Sequence, residues 1–267
     1  MHARVLPALL LLLAACRTMP QTGFLDRTTT VGNATHPYVV YVPRNWTPAQ
    51  RWPVILFLHG AGERGNDGLR PTQVGIGSAI RFRPERAAAI VVFPQAPPDE
   101  RWIGAPAEAA MSALDAAIAE FSGDRDRVVL TGLSLGGFGT WHLALAHPDR
   151  FAALVPVCGG IVPAGSATSV RQSPLTTRAS DPYAFTAEKL RSIPTWIFHG
   201  AEDTVILPSE SRKMHDALRA AGADVRYTEL AGVDHNAWDA AYGDDALWAW
   251  MFAARITSTR RTPLTTR

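Results

Sequence analysis

Lysine is nearly missing from this chain of 267 residues: of its 26 basic side chains only Lys189 and Lys213 are not Arg, a skew to which no function is attached. An excess of charge of either sign is missing too. The 26 basic and 24 acidic side chains leave a formal net charge of +2, which gives no electrostatic reason to expect nucleic acid as a partner. Two cysteines, Cys16 and Cys158, are too few for a disulfide framework or a zinc cluster. No apolar run is long enough to cross a bilayer as a helix, since the longest at the N-terminus covers only residues 8–15. There is no repeat architecture either: Pro-Leu-Thr-Thr-Arg recurs at 174–178 and 263–267, which is a coincidence of two copies. What remains is a globular composition, 47% hydrophobic and 19% charged, which excludes a disordered tail protein. A chain of this length buries enough surface to fold as one large domain without staples.

The two ends read differently from the middle. Arg4 precedes the apolar run 8–15, the charged-then-apolar layout of an export signal. The run closes on Leu13-Ala14-Ala15-Cys16, which resembles the bacterial lipobox, and so implies that Cys16 carries lipid and tethers a domain to the cell envelope. Arg17 after the cysteine resembles an outer-membrane address. An ordinary signal peptide with Cys16 incidental is the alternative. The expected organisation is a signal segment over 1–15, a lipidated cysteine and flexible spacer over 16–35, a catalytic domain over 36–256, and a basic tail over 257–267.

Between the ends, candidate strands at 38–42, 54–58, 90–93, 128–131, 153–157, 195–198 and 226–229, several of them rich in Val, Ile and Leu, alternate with helical spacing at 106–121, 135–146, 208–221 and 237–252. Continuously apolar strands are what a sheet covered on both faces requires, so the fold class is α/β with a mostly parallel sheet, in a single domain. Pro106 and Pro208 suit first turns of helices. Residues 159–182, rich in Ser, Thr, Pro and Gly, read as a loop over one rim of the sheet that could shape a substrate pocket.

The most informative segment is Thr131-Gly132-Leu133-Ser134-Leu135-Gly136-Gly137, where GxSxG lies between a buried strand and an amphipathic helix. A sharp strand-to-helix turn needs glycines where backbones approach, and it lifts a serine hydroxyl into the open at a helix N-terminus. Ser134 is therefore the candidate nucleophile; the alternative is a helix cap without chemistry. A serine hydroxyl needs a base, and the base needs a carboxylate to fix its tautomer. Of the histidines downstream, His142, His147 and His215 fall on or beside helices, and His199 ends a strand. His235 lies in the loop before the last helix, where a base can reach over the serine. For the acid, Asp203 follows the strand at 195–198, with Glu202 as rival and Asp234 disfavoured because adjacent side chains rarely face each other.

The run Leu58-His59-Gly60-Ala61-Gly62-Glu63-Arg64-Gly65 matches GxGxxG after a strand, but Asn66-Asp67-Gly68 and Pro71 replace the helix that dinucleotide binding needs. The economical reading is a loop whose amides hold an oxyanion, with Ala61 and Leu135 as the donors. Trp102 and Trp238 are candidate walls of the substrate site, or ordinary packing.

Together these residues resemble the α/β-hydrolase superfamily, and within it the phospholipase/carboxylesterase-like branch of secreted esterases and predicted peptidases. The resemblance spans roughly residues 37–254 and rests on Leu58-His59-Gly60, Pro94-Gln95, the GxSxG run, His199-Gly200 with Asp203, and Asp234-His235. It implies Ser134, Asp203 and His235 as a triad and an acyl-enzyme route for carboxylic esters, short-chain or feruloyl-type, with the ester free or linked to polysaccharide. It implies no metal or organic cofactor. No large helical lid is visible, unlike true lipases, nor a propeller like that of prolyl oligopeptidases. A serine peptidase on the same triad and a catalytically silent envelope-binding lipoprotein are the competing expectations. Contact with membrane is expected through the N-terminal lipid alone, and the oligomeric state is not legible.

Overall fold

A computed structural model describes residues 22–163 and 173–257 of the chain. Cys16, the signal segment, the center of the loop at 159–182 and the tail after residue 257 lie outside the described residues. Eight strands form one sheet: β1 (Gly23–Val31), β2 (Ala34–Val42), β3 (Trp52–Leu58), β4 (Ile90–Pro94), β5 (Gly123–Leu133), β6 (Ala153–Val157), β7 (Thr195–Gly200) and β8 (Val225–Leu230). Their spatial order is β1-β2-β4-β3-β5-β6-β7-β8. Strands β1, β2 and β4 pair antiparallel, and every pair from β4 onward is parallel. Among the described residues seven α-helices accompany them: α1 (Ile76–Phe82), α2 (Ala105–Glu120), α3 (Leu135–Ala146), α4 (Pro182–Leu190), α5 (Ser209–Ala220), α6 (Ala237–Gly243) and α7 (Asp245–Ala253).

The central strands are apolar on both sides because both sides are covered. In β3, Val54, Leu56 and Leu58 join the core beneath α2, α3, α4 and α5, while Ile55 and Phe57 join the core beneath α1, α6 and α7. That alternation of period two within a fully buried strand is what a doubly covered sheet demands. The carboxyl ends of β3, β5, β7 and β8 lead into the loops that carry His59, Ser134, Asp203 and His235, so all four come to one rim.

The structure corrects the sequence reading in several places. The stretch taken as spacer over 16–35 contains β1, which turns at Gly32-Asn33 and pairs with β2 residue by residue from Gly23↔Val42 to Val31↔Ala34. Its run of Thr and the Gly-Asn turn fit an edge hairpin. Arg27 to Glu120 and Thr29 to Ser112 tie it to α2. The helix expected over 237–252 is two helices, because Asp244 stops α6 and its carboxylate accepts from Ala246 N–H to start α7. Helix α4 emerges where the loop over 159–182 was expected to end. Asp181 caps it by accepting from Tyr183 and Ala184 N–H, and Pro182 occupies the first turn.

One buried pair of hydroxyls joins the strand of the serine to the helix that follows His235. Thr131 Oγ donates to the Val155 carbonyl at 2.7 Å and accepts from the Tyr242 hydroxyl at 2.8 Å. Tyr242→Phe leaves Thr131 its acceptor and should cost about 1 kcal/mol, whereas Thr131→Val leaves the buried Tyr242 hydroxyl without Thr131 and should cost roughly 2–3 kcal/mol. Urea unfolding of the two variants checks this; equal losses would contradict it.

Candidate active site

Ser134 stands between β5 and α3 with φ of 53°, a left-handed conformation costly for a residue with a Cβ. Close packing imposes it. A Cβ on Gly136 would overlap the Leu58 carbonyl, and one on Gly132 would overlap the Gly136 carbonyl, so glycine at both places lets α3 start against the end of β3. The turn leaves Ser134 partly exposed at the rim.

Ser134 Oγ lies 2.9 Å from His235 Nε2, and His235 Nδ1 lies 2.7 Å from Asp203 Oδ2. A carboxylate only accepts, so Nδ1 carries hydrogen and the Nε2 of the neutral ring is left to accept from the serine. Asp203 is buried, and its other oxygen accepts from Val205 N–H at 2.8 Å and Ile206 N–H at 2.9 Å. Burial alone would push this carboxyl up; the hydrogen bonds from His199, His235 and the Ile206 amide outweigh it and hold the group well below the usual carboxylate range. Glu202 and Asp234, the rival acids, are not part of this relay.

The amides of Ala61 and Leu135 are each the first of a helix, a 3-10 turn Ala61–Glu63 in one case and α3 in the other. Such amides have no intrahelical acceptor, and neither cap residue, Gly60 or Ser134, covers them with its side chain. Together with the positive end of α3 they suit a developing negative charge beside Ser134. His59 fixes this loop from below. Its Nδ1–H donates to the Gly60 carbonyl at 2.6 Å and its Nε2 accepts from Ala96 N–H at 3.0 Å. Gln95 holds the far side, accepting from Gly68 N–H at 2.6 Å and donating to the Glu63 carbonyl at 2.8 Å.

Trp102 is buried and packs under the loop. Its indole N–H donates to the His59 carbonyl at 3.0 Å and its ring meets the His59 ring edge-on, 4.8 Å between centroids. It also borders a cleft along α3 formed with Leu135, Phe138, Trp141, His142 and Ile161. Trp238 is half-buried and stands edge-on to His235, 5.5 Å between centroids. The parts the sequence reading missed are supports: Gln95, His199 with Ser211, and Glu210. The buried carboxylate of Glu210 accepts from the Ile161 and Val162 amides and the Tyr183 hydroxyl. Pro94-Gln95 and His199-Gly200 stood in the resemblance as motifs, which was the available signal. Cys158 is free and buried, and burial pushes its thiol up.

The sheet order and this relay define an α/β-hydrolase of the serine type. A model of the prolyl oligopeptidase family matches residues 99–254, and the chain belongs to that family. A solved thermostable esterase is 28% identical, with a TM-score of 0.73 over 87% of this chain and 63% of that one. An acylaminoacyl peptidase of Pyrococcus horikoshii, 17% identical, aligns over 80% of this chain and 38% of its own with a TM-score of 0.62, a likeness of fold. An uncharacterized secreted protein of Arthroderma benhamiae is 28% identical over 213 residues, 72% of this chain and 22% of that protein. The chain thus spans less than a quarter of the curated relative it matches.

Burial holds both His59 and His142 down to about 4, so the folded rings stay neutral where the unfolded chain takes protons near pH 6.5. Their contribution is complete above about pH 6.5 and is lost as pH falls toward 4, on the order of 3 kcal/mol for His59. Asp203, depressed instead, contributes above about pH 4 and loses its share below. Urea midpoints should therefore fall between pH 6.5 and 4, with His142→Gln removing part of the slope; a flat midpoint over that window would contradict this.

Proposed function

We propose that the protein is a serine hydrolase that cleaves carboxylic esters through an acyl-enzyme. The observation that carries the serine chemistry is the unbroken relay Ser134–His235–Asp203, with contacts of 2.9 and 2.7 Å. In this reading His235 Nε2 takes the hydroxyl proton as Ser134 Oγ attacks the acyl carbon, and Asp203 holds the tautomer and stabilises the imidazolium. The Ala61 and Leu135 amides receive the oxyanion. His235 then returns the proton to the leaving oxygen, and water repeats the sequence to free the acid and regenerate Ser134.

The choice of esters is supported by likeness to the thermostable esterase at 28% identity. The apolar cleft beside Leu135 suits a short or aromatic acyl group, free or attached to polysaccharide, with Trp102 and Trp238 as its neighbours. Peptide cleavage is the second reading, favoured by membership of a family named for an oligopeptidase. For placement we propose a secreted, envelope-facing enzyme held by lipid on Cys16, resting on the apolar run ahead of that cysteine and on the relative named as secreted.

Turnover of p-nitrophenyl acetate and methyl ferulate should exceed that of a peptide anilide; peptide preference would overturn the ester reading. Ser134→Ala and His235→Ala should each lower kcat by roughly 10⁴-fold or more, the first with little change in the unfolding midpoint, and Asp203→Asn by a similar or smaller factor. Wild-type rates in the Ser134→Ala variant would contradict the assignment.

A further inference from the structure

His199 ends β7 and has so far no part in the relay. Its side chain is fully buried, and both ring nitrogens are committed around the acid. Nε2 lies 3.1 Å from Asp203 Oδ2 and 2.8 Å from the Ile206 carbonyl. Both neighbours accept, so Nε2 carries hydrogen and shares it between them. Nδ1 lies 2.7 Å from the hydroxyl of Ser211 in the first turn of α5. Asp203 Oδ2 therefore receives two imidazole N–H groups, one from His235 and one from His199, while Oδ1 receives two backbone amides.

We propose that His199, braced by Ser211, is a positioning residue for the carboxylate that serves His235. The proposal rests on the serine-hydrolase reading above and not on the choice between ester and peptide. Without His199, Oδ2 keeps a single donor, the Ile206 carbonyl loses the ring N–H, and the Ser211 hydroxyl loses its acceptor. The carboxylate can then turn about its last torsion, and His235 loses its fixed orientation toward Ser134. There is also an electronic consequence. A donor on Oδ2 draws charge away from His235, so removing it strengthens the hold on the imidazolium and moves the acidic limb of activity to higher pH.

Few other groups can confuse that reading. Glu229 of β8 faces His199 across the ladder, but it is bound by Arg212 and the Tyr227 hydroxyl, each at 2.5 Å, and held at about 2. Cys158, just after β6, feels Asp203, and burial keeps its thiol protonated. On α5, Glu210 is turned to Tyr183 and to the loop at 161–162, with Lys213 at 3.8 Å.

The test uses the full chain and a fluorophosphonate probe, whose labelling rate at Ser134 does not depend on the natural substrate. His199→Leu should slow labelling roughly 10- to 100-fold and move its acidic midpoint upward. With p-nitrophenyl acetate the loss should fall on kcat with KM little changed. His199→Gln, whose side-chain amide can donate from near the place of Nε2, should recover most of the rate, and Ser211→Ala should show a smaller loss in the same direction. Folded His199→Leu protein with the wild-type rate and midpoint would overturn the proposal. Should His199→Leu not fold, Ser211→Ala and His199→Gln decide: Ser211→Ala identical to wild type in rate and midpoint overturns it. Wild-type protein that never labels overturns the hydrolase reading and this proposal with it. Wild-type protein that labels yet ignores esters refutes only the ester reading.

Discussion

The site depends on one close approach, that of the first turn of α3 to the last carbonyls of β3. With no Cβ at Gly136 or Gly132, the helix begins where a side chain would collide with Leu58, and Ser134 is forced to a positive φ. The same approach sets the Leu135 amide beside the end of β3, from which the chain continues directly into His59, Gly60 and Ala61. Nucleophile and oxyanion loop are therefore placed by a single contact, and a β-carbon there would displace both. Such strain persists because the doubly covered sheet around it is rigid.

The second half of the relay adds hydrogen bonding to close packing. Asp203 and His235 come from the loops after β7 and β8, which meet at Gly200, where a Cβ would overlap the Val233 and Asp234 carbonyls, and Glu202 N–H donates to the Val233 carbonyl. Hydrogen bonds then aim the side chains: four donors converge on Asp203, and the ring of Trp238 stands against His235. Buried polar groups of this kind hold one arrangement only when every member is satisfied, which is why the supports His199 and Ser211 matter to a carboxylate two shells removed from the substrate.

Much of this was legible in the sequence, for identifiable reasons. Strands in the middle of the sheet are apolar throughout and announced themselves, and the short alternating run of β8 at the far edge was legible as well, so seven of the eight were read. GxSxG marked a turn whose sterics admit few alternatives, and chain order then selected Asp203 and His235. Strand β1 was hidden because an edge strand with one covered face lacks the apolar run of its neighbours; its burial alternates between intermediate and exposed. The break at Asp244 was hidden because the apolar spacing continues across it. His199 was recognised as the end of a strand, but nothing in its neighbours tells that its ring turns toward a residue four positions later. That direction is a property of the fold. Ester or peptide preference belongs to the cleft and not to the motifs, and one triad serves either.

Acid-quenched protein, mixed with p-nitrophenyl acetate for milliseconds and mapped by mass spectrometry, addresses the central claim most directly. The account predicts a burst of nitrophenolate matched by one acetyl group on the peptide containing Ser134. An acetyl group on any other residue, or steady release with Ser134 unmodified and no burst in a protein that turns the ester over, would contradict it.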